Sequence, residues 1–191
     1  MEKWLLMTTV AAATGLLAEV LIEGKANSRV RVLIFEDLQC GDCADFRRMM
    51  DSRILPKYKE SVAFLHRDFP LPKHEWARKA AIAARFFESK RASLGLDYRR
   101  YMLSNFDSTT VDTFGQKLHD FCRTHGVDTA EAQDALTKPE FADRVDRDYR
   151  DGETRGVTKT PTVFVNGIPF IEKISFEDIS KALDEALASA K

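Results

Sequence analysis

Residues 30–43 read VRVLIFEDLQCGDC, and this stretch decides the fold. Its first part, Val30 to Phe35, is short, mostly apolar and rich in β-branched residues, which predicts a buried strand. Directly after it, Ala44 to Ile54 carries apolar residues at helical spacing. Cys40 and Cys43 therefore stand at a strand-to-helix junction. A separation of two residues suits a redox pair or half of a metal site and is rare for a structural disulfide.

The position of the pair predicts which sulfur reacts. Cysteine reacts as the thiolate, whereas a free thiol titrates near about 8.5, so a reactive cysteine needs a stabilised anion. Unpaired N–H groups and the helix dipole supply that stabilisation at the first turn of a helix. We expect Cys40 to lie there and to contact the substrate. Cys43, more covered, is expected to resolve the mixed disulfide or to re-form the internal bond.

The surroundings of the pair are predicted to tune it. Gly41 is expected to let the backbone turn and to leave the sulfur of Cys40 accessible. Asp42 suits the start of a helix, but its charge opposes a neighbouring thiolate. Further acidity comes from nearby carboxylates, namely Glu36, Asp37 and Asp45. We therefore predict a pKa of Cys40 that is less depressed than beside a basic or neutral dipeptide, and hence a milder oxidant.

A metal site is the second interpretation of the cysteines. His119, Cys122 and His125 would add three ligands to the pair. Structural zinc sites, however, usually join two compact ligand knuckles. Cys122 instead falls on the apolar stripe of a predicted helix, where a free cysteine packs as a small hydrophobe. We therefore expect no metal and no cofactor; two inert, buried cysteines are the remaining alternative for the pair.

Length and composition bound the class of protein. The 191 residues suit one domain with a core large enough to need no disulfide framework, and three cysteines could not build one. The formal net charge of −1 gives no basic excess, so no nucleic-acid partner is predicted.

The rest of the chain predicts the order β-α-β, a block of helices, then β-β-α. A second short strand covers Val62 to Leu65, and helical spacing follows. Thr162 to Val165 and Ile168 to Ile171 form a predicted hairpin around the tight turn Asn166-Gly167. Ser175 is predicted to cap the last helix.

The N-terminus predicts an export segment at residues 1–23. Trp4 to Ala18 is a run of apolar and small residues, continued by Val20, Leu21 and Ile22. Its length fits the apolar core of a signal peptide and is slightly short for a full membrane anchor. Small-x-small patterns at 24–26 and 26–28 are candidate cleavage sites. A helix packed on a soluble core is the third alternative.

Four segments together resemble one known family. They read DLQCGDC at 37–43, RDFPLP at 67–72 followed by His74, FADRV at 141–145, and GVTKTPTVFVNG at 156–167. They are similar to that family's approach to a Cys-x-x-Cys pair, its second strand, the helix before its last strands, and its Gly-Val-x-x-Thr-Pro-Thr hairpin. Over residues 24–190 the chain thus resembles the DsbA-like thiol–disulfide oxidoreductases of the thioredoxin superfamily.

The resemblance implies an architecture and a substrate groove. The expected fold is α/β, a thioredoxin fold with an inserted helical subdomain. Its first half covers 24–72, the insertion 73–138 and the second half 139–191. Pro161 is expected to be cis beside the cysteines, leaving the backbone of Thr160 free to pair with an extended substrate. Thr160 is also expected to tune the pair.

The resemblance also implies a function. We expect a mild oxidase that forms disulfides in exported proteins, outside the cytosol, where disulfides persist. Its substrates would be protein thiols, and its reoxidant a quinone-linked membrane oxidase of the DsbB or vitamin K epoxide reductase type. A disulfide reductase or isomerase of the same fold is one alternative. A non-catalytic module that clamps a partner through the Thr160-Pro161 groove is another.

One position departs from the family's pattern. Members often carry a buried Glu six residues before the first Cys, where this chain has Ile34. Glu36 lies two residues further on, and in a regular strand it points to the same face. Glu36 is therefore a candidate tuning residue of the pair.

Overall fold

The computed structural model describes residues 21–190. Within them the strands are β1 (Leu21–Gly24), β2 (Arg31–Glu36), β3 (Ala63–Asp68), β4 (Thr162–Val165) and β5 (Ile168–Ile171). The helices are α1 (Gly41–Met49), α2 (Leu55–Tyr58), α3 (Ala77–Lys90), α4 (Ala92–Ser104), α5 (Val111–His125), α6 (Thr129–Ala135), α7 (Pro139–Thr154) and α8 (Phe176–Ser189). A π-helical turn, Met50–Ile54, joins α1 to α2, and a 3₁₀ turn, Phe106–Ser108, follows α4.

The sheet brings two distant parts of the chain to one edge. Its strand order is β1-β3-β2-β4-β5. β2 and β3 are parallel because α1 and α2 cross between them, and the other neighbours are antiparallel. Phe35, near the end of β2, lies opposite Thr162, the start of β4. The loop that carries Cys40 therefore lies beside the peptide that precedes β4.

The first strand was not predicted. Leu21 and Ile22 were assigned to the N-terminal apolar segment, but they belong to β1, which pairs with β3. The strand buries Leu21 and also Glu23, whose charge is matched by Arg47 of α1. Cleavage at either small-x-small pattern would remove β1 from the sheet. Residues 1–20, which hold most of the predicted signal or anchor, lie outside the described residues.

The packing divides the core into layers. One face of the sheet is covered by α1, α2 and α8, through residues such as Phe46, Tyr58 and Leu183. Helices α3 to α7 enclose a separate apolar cluster, and this cluster also includes Cys40 and Cys43. The cysteine pair is therefore packed between the sheet and the helical block. Among residues 21–190, no helix combines the length and the apolarity needed to cross a membrane.

Candidate active site

Both cysteines lie at the start of α1. Cys40 is the N-cap residue with an extended backbone, and Cys43 lies inside the first turn. Both are free thiols, with 8% of Cys40 and 2% of Cys43 exposed. The Sγ of Cys43 accepts a hydrogen bond from the backbone N–H of Asp37 at 3.4 Å. Only Cys40 is thus within reach of a large reactant.

The loop before β4 meets Cys40. The Thr160–Pro161 peptide bond is cis, and the carbonyl of Pro161 accepts a hydrogen bond from the N–H of Glu172 at 2.8 Å. The thiol of Cys40 donates to the carbonyl oxygen of Thr160 at 3.3 Å. The hydroxyl of Thr160 is buried and has no hydrogen-bond partner in the part of the chain that the structure describes.

The pKa of Cys40 is lowered to about 6. The main cause is a hydrogen bond from the thiol of Cys43, with a further one from the backbone N–H of Cys43, and their effect exceeds that of burial, which opposes ionisation. The charge of Asp37 raises the pKa, so this buried carboxylate, rather than Asp42, is the acid that acts most strongly on the thiolate. Cys40 is therefore largely ionised at neutral pH.

The pKa of Cys43 is raised well above its ordinary value. Burial is the first cause, and the hydrogen bond and charge of Cys40 add to it; the charge of Glu36 contributes in the same direction. One sulfur is thus a thiolate while its neighbour keeps its proton. This difference in protonation suits thiol–disulfide exchange, in which one sulfur reacts as a thiolate while the other remains a thiol.

Asp37 ties the cysteine loop to the segment after β3. Its carboxylate accepts hydrogen bonds from the N–H of Gln39, from the N–H of Leu71 and from Nδ1 of His74, each at 2.7 Å. Its backbone carbonyl accepts from the N–H of Cys40 at 3.1 Å. Burial raises the pKa of this carboxyl group, against the effect of its hydrogen bonds. From the sequence alone, Asp37 is predicted only as a source of local acidity.

Gln39 ties the same loop to the helical block. The side-chain oxygen of Gln39 accepts from the N–H of Trp76 at 2.8 Å and of Ala77 at 3.0 Å. These two N–H groups lie at the N-terminus of α3, where the side chain of the N-cap residue accepts no hydrogen bond. Gln39 therefore caps this helix. The role of Gln39 was missed, although the Asp-x-Gln-Cys motif that contains it was noticed.

Glu36 is held as a fixed anion. Burial alone would raise its pKa, but the charge and hydrogen bond of His66 and the charge of Arg99 lower it to about 2. Its Oε1 lies 3.0 Å from Nδ1 of His66 and 3.1 Å from a guanidinium nitrogen of Arg99. Glu36 does share a face with Ile34, yet a carboxylate this stabilised does not take up a proton near neutral pH.

Glu36 belongs to a network of buried ion pairs. On one side His66 also contacts Glu23, which pairs with Arg47. On the other side Arg99 pairs with Asp68 at 2.7 Å. The network of ion pairs continues to Arg85, which pairs with Asp68, Glu88 and Asp148. Charges of this kind are stable in a core only when each is paired, so the network fixes the helical block on the sheet.

A groove of about 1220 Å³ has Cys40 among its lining residues. Thr160, Gly41 and Asp42 line it, as does Phe106 from the turn after α4. The backbone of Gly41 lies outside the left-handed region, and a Cβ there would touch the ring of Phe106 at 3.4 Å. Gly41 thus contributes its small size rather than the backbone turn that the sequence suggested.

The three residues considered as additional metal ligands do not converge. Cys122 is fully buried in the helical block, while His119 and His125 are exposed and the ring of His125 stacks on Phe121. Within residues 21–190, no group of three or more His, Cys, Asp or Glu side chains is arranged to hold a metal ion.

The family model described as thioredoxin matches residues 18–185. The chain belongs to this thioredoxin family. The match spans the strand–Cys-x-x-Cys–helix unit, the helical block and the hairpin after Pro161. None of the curated proteins matches the sequence of this thioredoxin-family chain.

Solved structures share the fold of this family member. The crystal structure of alpha-DsbA1 from Wolbachia pipientis has a TM-score of 0.80 at 16% identity, covering 91% of this chain and 94% of that one. BdbD from Bacillus subtilis, in its oxidised form, has 0.80 at 20%, covering 88% and 93%. The thiol–disulfide exchange protein alpha-DsbA2 from Wolbachia pipientis has 0.73 at 19%, covering 86% and 85%. The predicted DsbA-like thioredoxin fold, with its inserted helices, is confirmed.

Replacing Asp37 in this thioredoxin-family chain tests the electrostatics of the site. In Asp37→Asn the charge that raises the pKa of Cys40 is lost, so we expect that pKa to fall below about 6. Because a thiol at its pKa is half ionised, alkylation of Cys40 at pH 6 should accelerate, by at most about twofold. The measurement is the rate of iodoacetamide labelling against pH. Asp42→Asn is the control, and a larger shift in that variant would contradict the assignment.

Proposed function

We propose that this protein is a thiol–disulfide oxidoreductase with Cys40 and Cys43 as its redox pair. The proposal depends on one observation, which is that the two sulfurs differ in ionisation and in accessibility. Cys40 is a stabilised thiolate at an open groove, and Cys43 is a buried thiol beside it. A pair that served only to pack the core would need neither the groove nor the lowered pKa. Gly41, Asp42 and Glu36 tune this pair by size and charge.

The reaction exchanges one disulfide for another. A substrate thiolate attacks Sγ of Cys40 in the oxidised pair, the Cys40–Cys43 bond breaks, and Cys43 leaves and takes up a proton. A second substrate thiolate then attacks the substrate sulfur of the mixed disulfide, and Cys40 leaves as a thiolate. The substrate gains a disulfide, and the pair holds the two electrons. The relative alpha-DsbA2 is described as a thiol–disulfide exchange protein, which supports the assignment.

The groove indicates how a protein substrate binds. We propose that an extended segment of the substrate lies along the groove and pairs with the backbone of Thr160, next to Pro161, as an added strand. The carbonyl oxygen of Thr160 faces Cys40 at 3.3 Å, so a substrate segment paired there would present its cysteine to the sulfur. Unfolded or partly folded proteins offer such segments.

The direction that we propose is oxidation of exported proteins. A stabilised thiolate favours the reduced pair, which makes the disulfide a better oxidant. The carboxylate of Asp37 opposes this effect and moderates it. We propose an extracytoplasmic location, with an export signal or anchor in the residues that precede β1, and reoxidation by a quinone-linked membrane oxidase of the DsbB or vitamin K epoxide reductase type.

The reduction potential of the pair tests this direction. Equilibration of the purified protein against glutathione buffers should give a value between about −120 and −200 mV, the range of oxidases and isomerases. A value near about −270 mV would make a disulfide reductase, supplied by an electron donor, the better assignment. The Cys122→Ala variant is the control, because Cys122 lies outside the pair and should leave the potential unchanged.

A further inference from the structure

A histidine lies in the groove with one ring nitrogen fixed. His74 follows β3, lines the same groove as Cys40 and keeps 18% of its side chain exposed. Its Nδ1 lies 2.7 Å from Oδ2 of Asp37, whose side chain is fully buried. Neither the exchange chemistry nor the electrostatics of the cysteines, as described above, uses this histidine.

The hydrogen bonds of Asp37 determine the protonation of the ring. Oδ2 of Asp37 already accepts from the N–H of Leu71, and Oδ1 accepts from the N–H of Gln39. An ionised carboxylate only accepts hydrogen bonds, so beside the Asp37 carboxylate Nδ1 of His74 is the nitrogen that carries a hydrogen. In the neutral ring this leaves the lone pair on Nε2. No hydrogen bond to Nε2 is present within residues 21–190.

We propose that His74 is the acid–base residue of the groove, with Nε2 accepting the proton of the incoming substrate thiol. This inference rests on the proposed thiol–disulfide exchange. The buried carboxylate of Asp37 fixes the ring and stabilises the imidazolium ion that forms, as orienting carboxylates do in hydrolytic triads. Imidazole is suited to this task because it exchanges protons near neutral pH.

The step balances without any further reactant. The substrate S–H bond breaks, its proton goes to Nε2, and its electron pair forms the new S–S bond to Cys40. The old Cys40–Cys43 bond breaks, and its electron pair leaves with Cys43, which takes up a proton from solvent because its pKa is raised. The proton on Nε2 then passes to solvent. In the reverse direction the imidazolium ion returns a proton to the departing substrate thiolate.

The groove gives the histidine mixed electrostatic surroundings. The acidic residues that line the same groove are Asp42 and Asp45 of α1, Glu172 in the loop after β5 and Asp107 in the 3₁₀ turn. The basic groups are Lys73 beside His74, Arg48 on α1 and Lys159 in the loop before Thr160, with Lys159 paired to Glu172 at 2.9 Å. The buried charge on Asp37 is the one in direct contact with the ring, so it dominates.

The pH dependence of exchange tests the proposal. In His74→Asn the side-chain N–H can still bond Asp37, but no titrating nitrogen remains. A thiol with an ordinary pKa is only about 3% ionised at pH 7, so we expect exchange between the oxidised protein and a peptide dithiol to slow about tenfold there. At pH 9 the substrate ionises without help, and the two proteins should react equally fast. His119→Asn, on the exposed face of α5, should match the wild type throughout.

The reduction potential and the pKa of Cys40 separate this role from a structural one. Both should be unchanged in His74→Asn. A rate at pH 7 equal to that of the wild type would overturn the proposal. An equal loss at pH 7 and pH 9, or a shifted potential, would also overturn it, because His74 would then only support the loop. If the wild-type protein itself exchanges no disulfides, the proposed function fails instead.

Discussion

Replacing Cys40 by serine should abolish disulfide exchange, with a rate loss of at least about 10³-fold, because the attacked sulfur and the stabilised thiolate are both lost. Cys43→Ser should behave differently. It keeps Cys40 at the groove, so its thiolate should attack a substrate disulfide, form a mixed disulfide and then stall, since no internal thiol can release it. Complexes trapped with a disulfide-bonded peptide on non-reducing gels measure this effect, and exchange rates on a peptide dithiol measure the loss in Cys40→Ser.

The third cysteine provides the matched control for that experiment. Cys122 is fully buried in the helical block and away from the groove, so Cys122→Ala should exchange disulfides at the wild-type rate. Mixed disulfides that accumulate on Cys43 in the Cys40→Ser protein would contradict the assigned order of the two sulfurs.

Replacing Arg85 by methionine should lower the free energy of unfolding by about 3–5 kcal/mol. The side chain of Arg85 is 2% exposed and pairs with Asp68, Glu88 and Asp148. Methionine fills a similar volume but leaves these carboxylates with fewer partners in a buried site, where an unmatched charge is costly. Urea unfolding monitored by circular dichroism measures the change.

The same helix offers a control for Arg85. Arg78 also lies on α3 and pairs with a carboxylate, Asp146, but both side chains are substantially exposed. Exposed pairs contribute little, so Arg78→Met should change the free energy of unfolding by less than about 1 kcal/mol. Equal effects of the two substitutions would show that the buried network does not stabilise the fold in the way described.

The parts of the fold set by local patterns were predictable from sequence. The β-branched run before Cys40 became β2, and Asn166-Gly167 forms the hairpin turn, with positive φ at both residues. Ser175 caps α8 as expected, accepting from the N–H of Asp178. In each case the sequence pattern lies within a few residues of the element that it predicts, so the element could be predicted without knowledge of tertiary contacts.

The parts that depend on distant partners were not predictable. β1 is only four residues long and carries Glu23, whose burial makes sense only beside Arg47 and His66. Asp37 and Gln39 have their partners at residues 71–77, after a complete helix and strand. The position of Glu36 was noticed, but its role as a fixed anion follows from His66 and Arg99, which no local spacing connects to it.

The most direct test of the central claim is a pH titration of thiolate absorbance at 240 nm in the reduced protein. The account predicts a step near pH 6 that disappears in Cys40→Ser. In Cys43→Ala the step should move to higher pH, since the hydrogen bond from Cys43 is the main cause of the lowered pKa. A reduced protein with no thiolate step below about pH 8, the ordinary range of a free thiol, would contradict the assignment of Cys40 as the reactive sulfur.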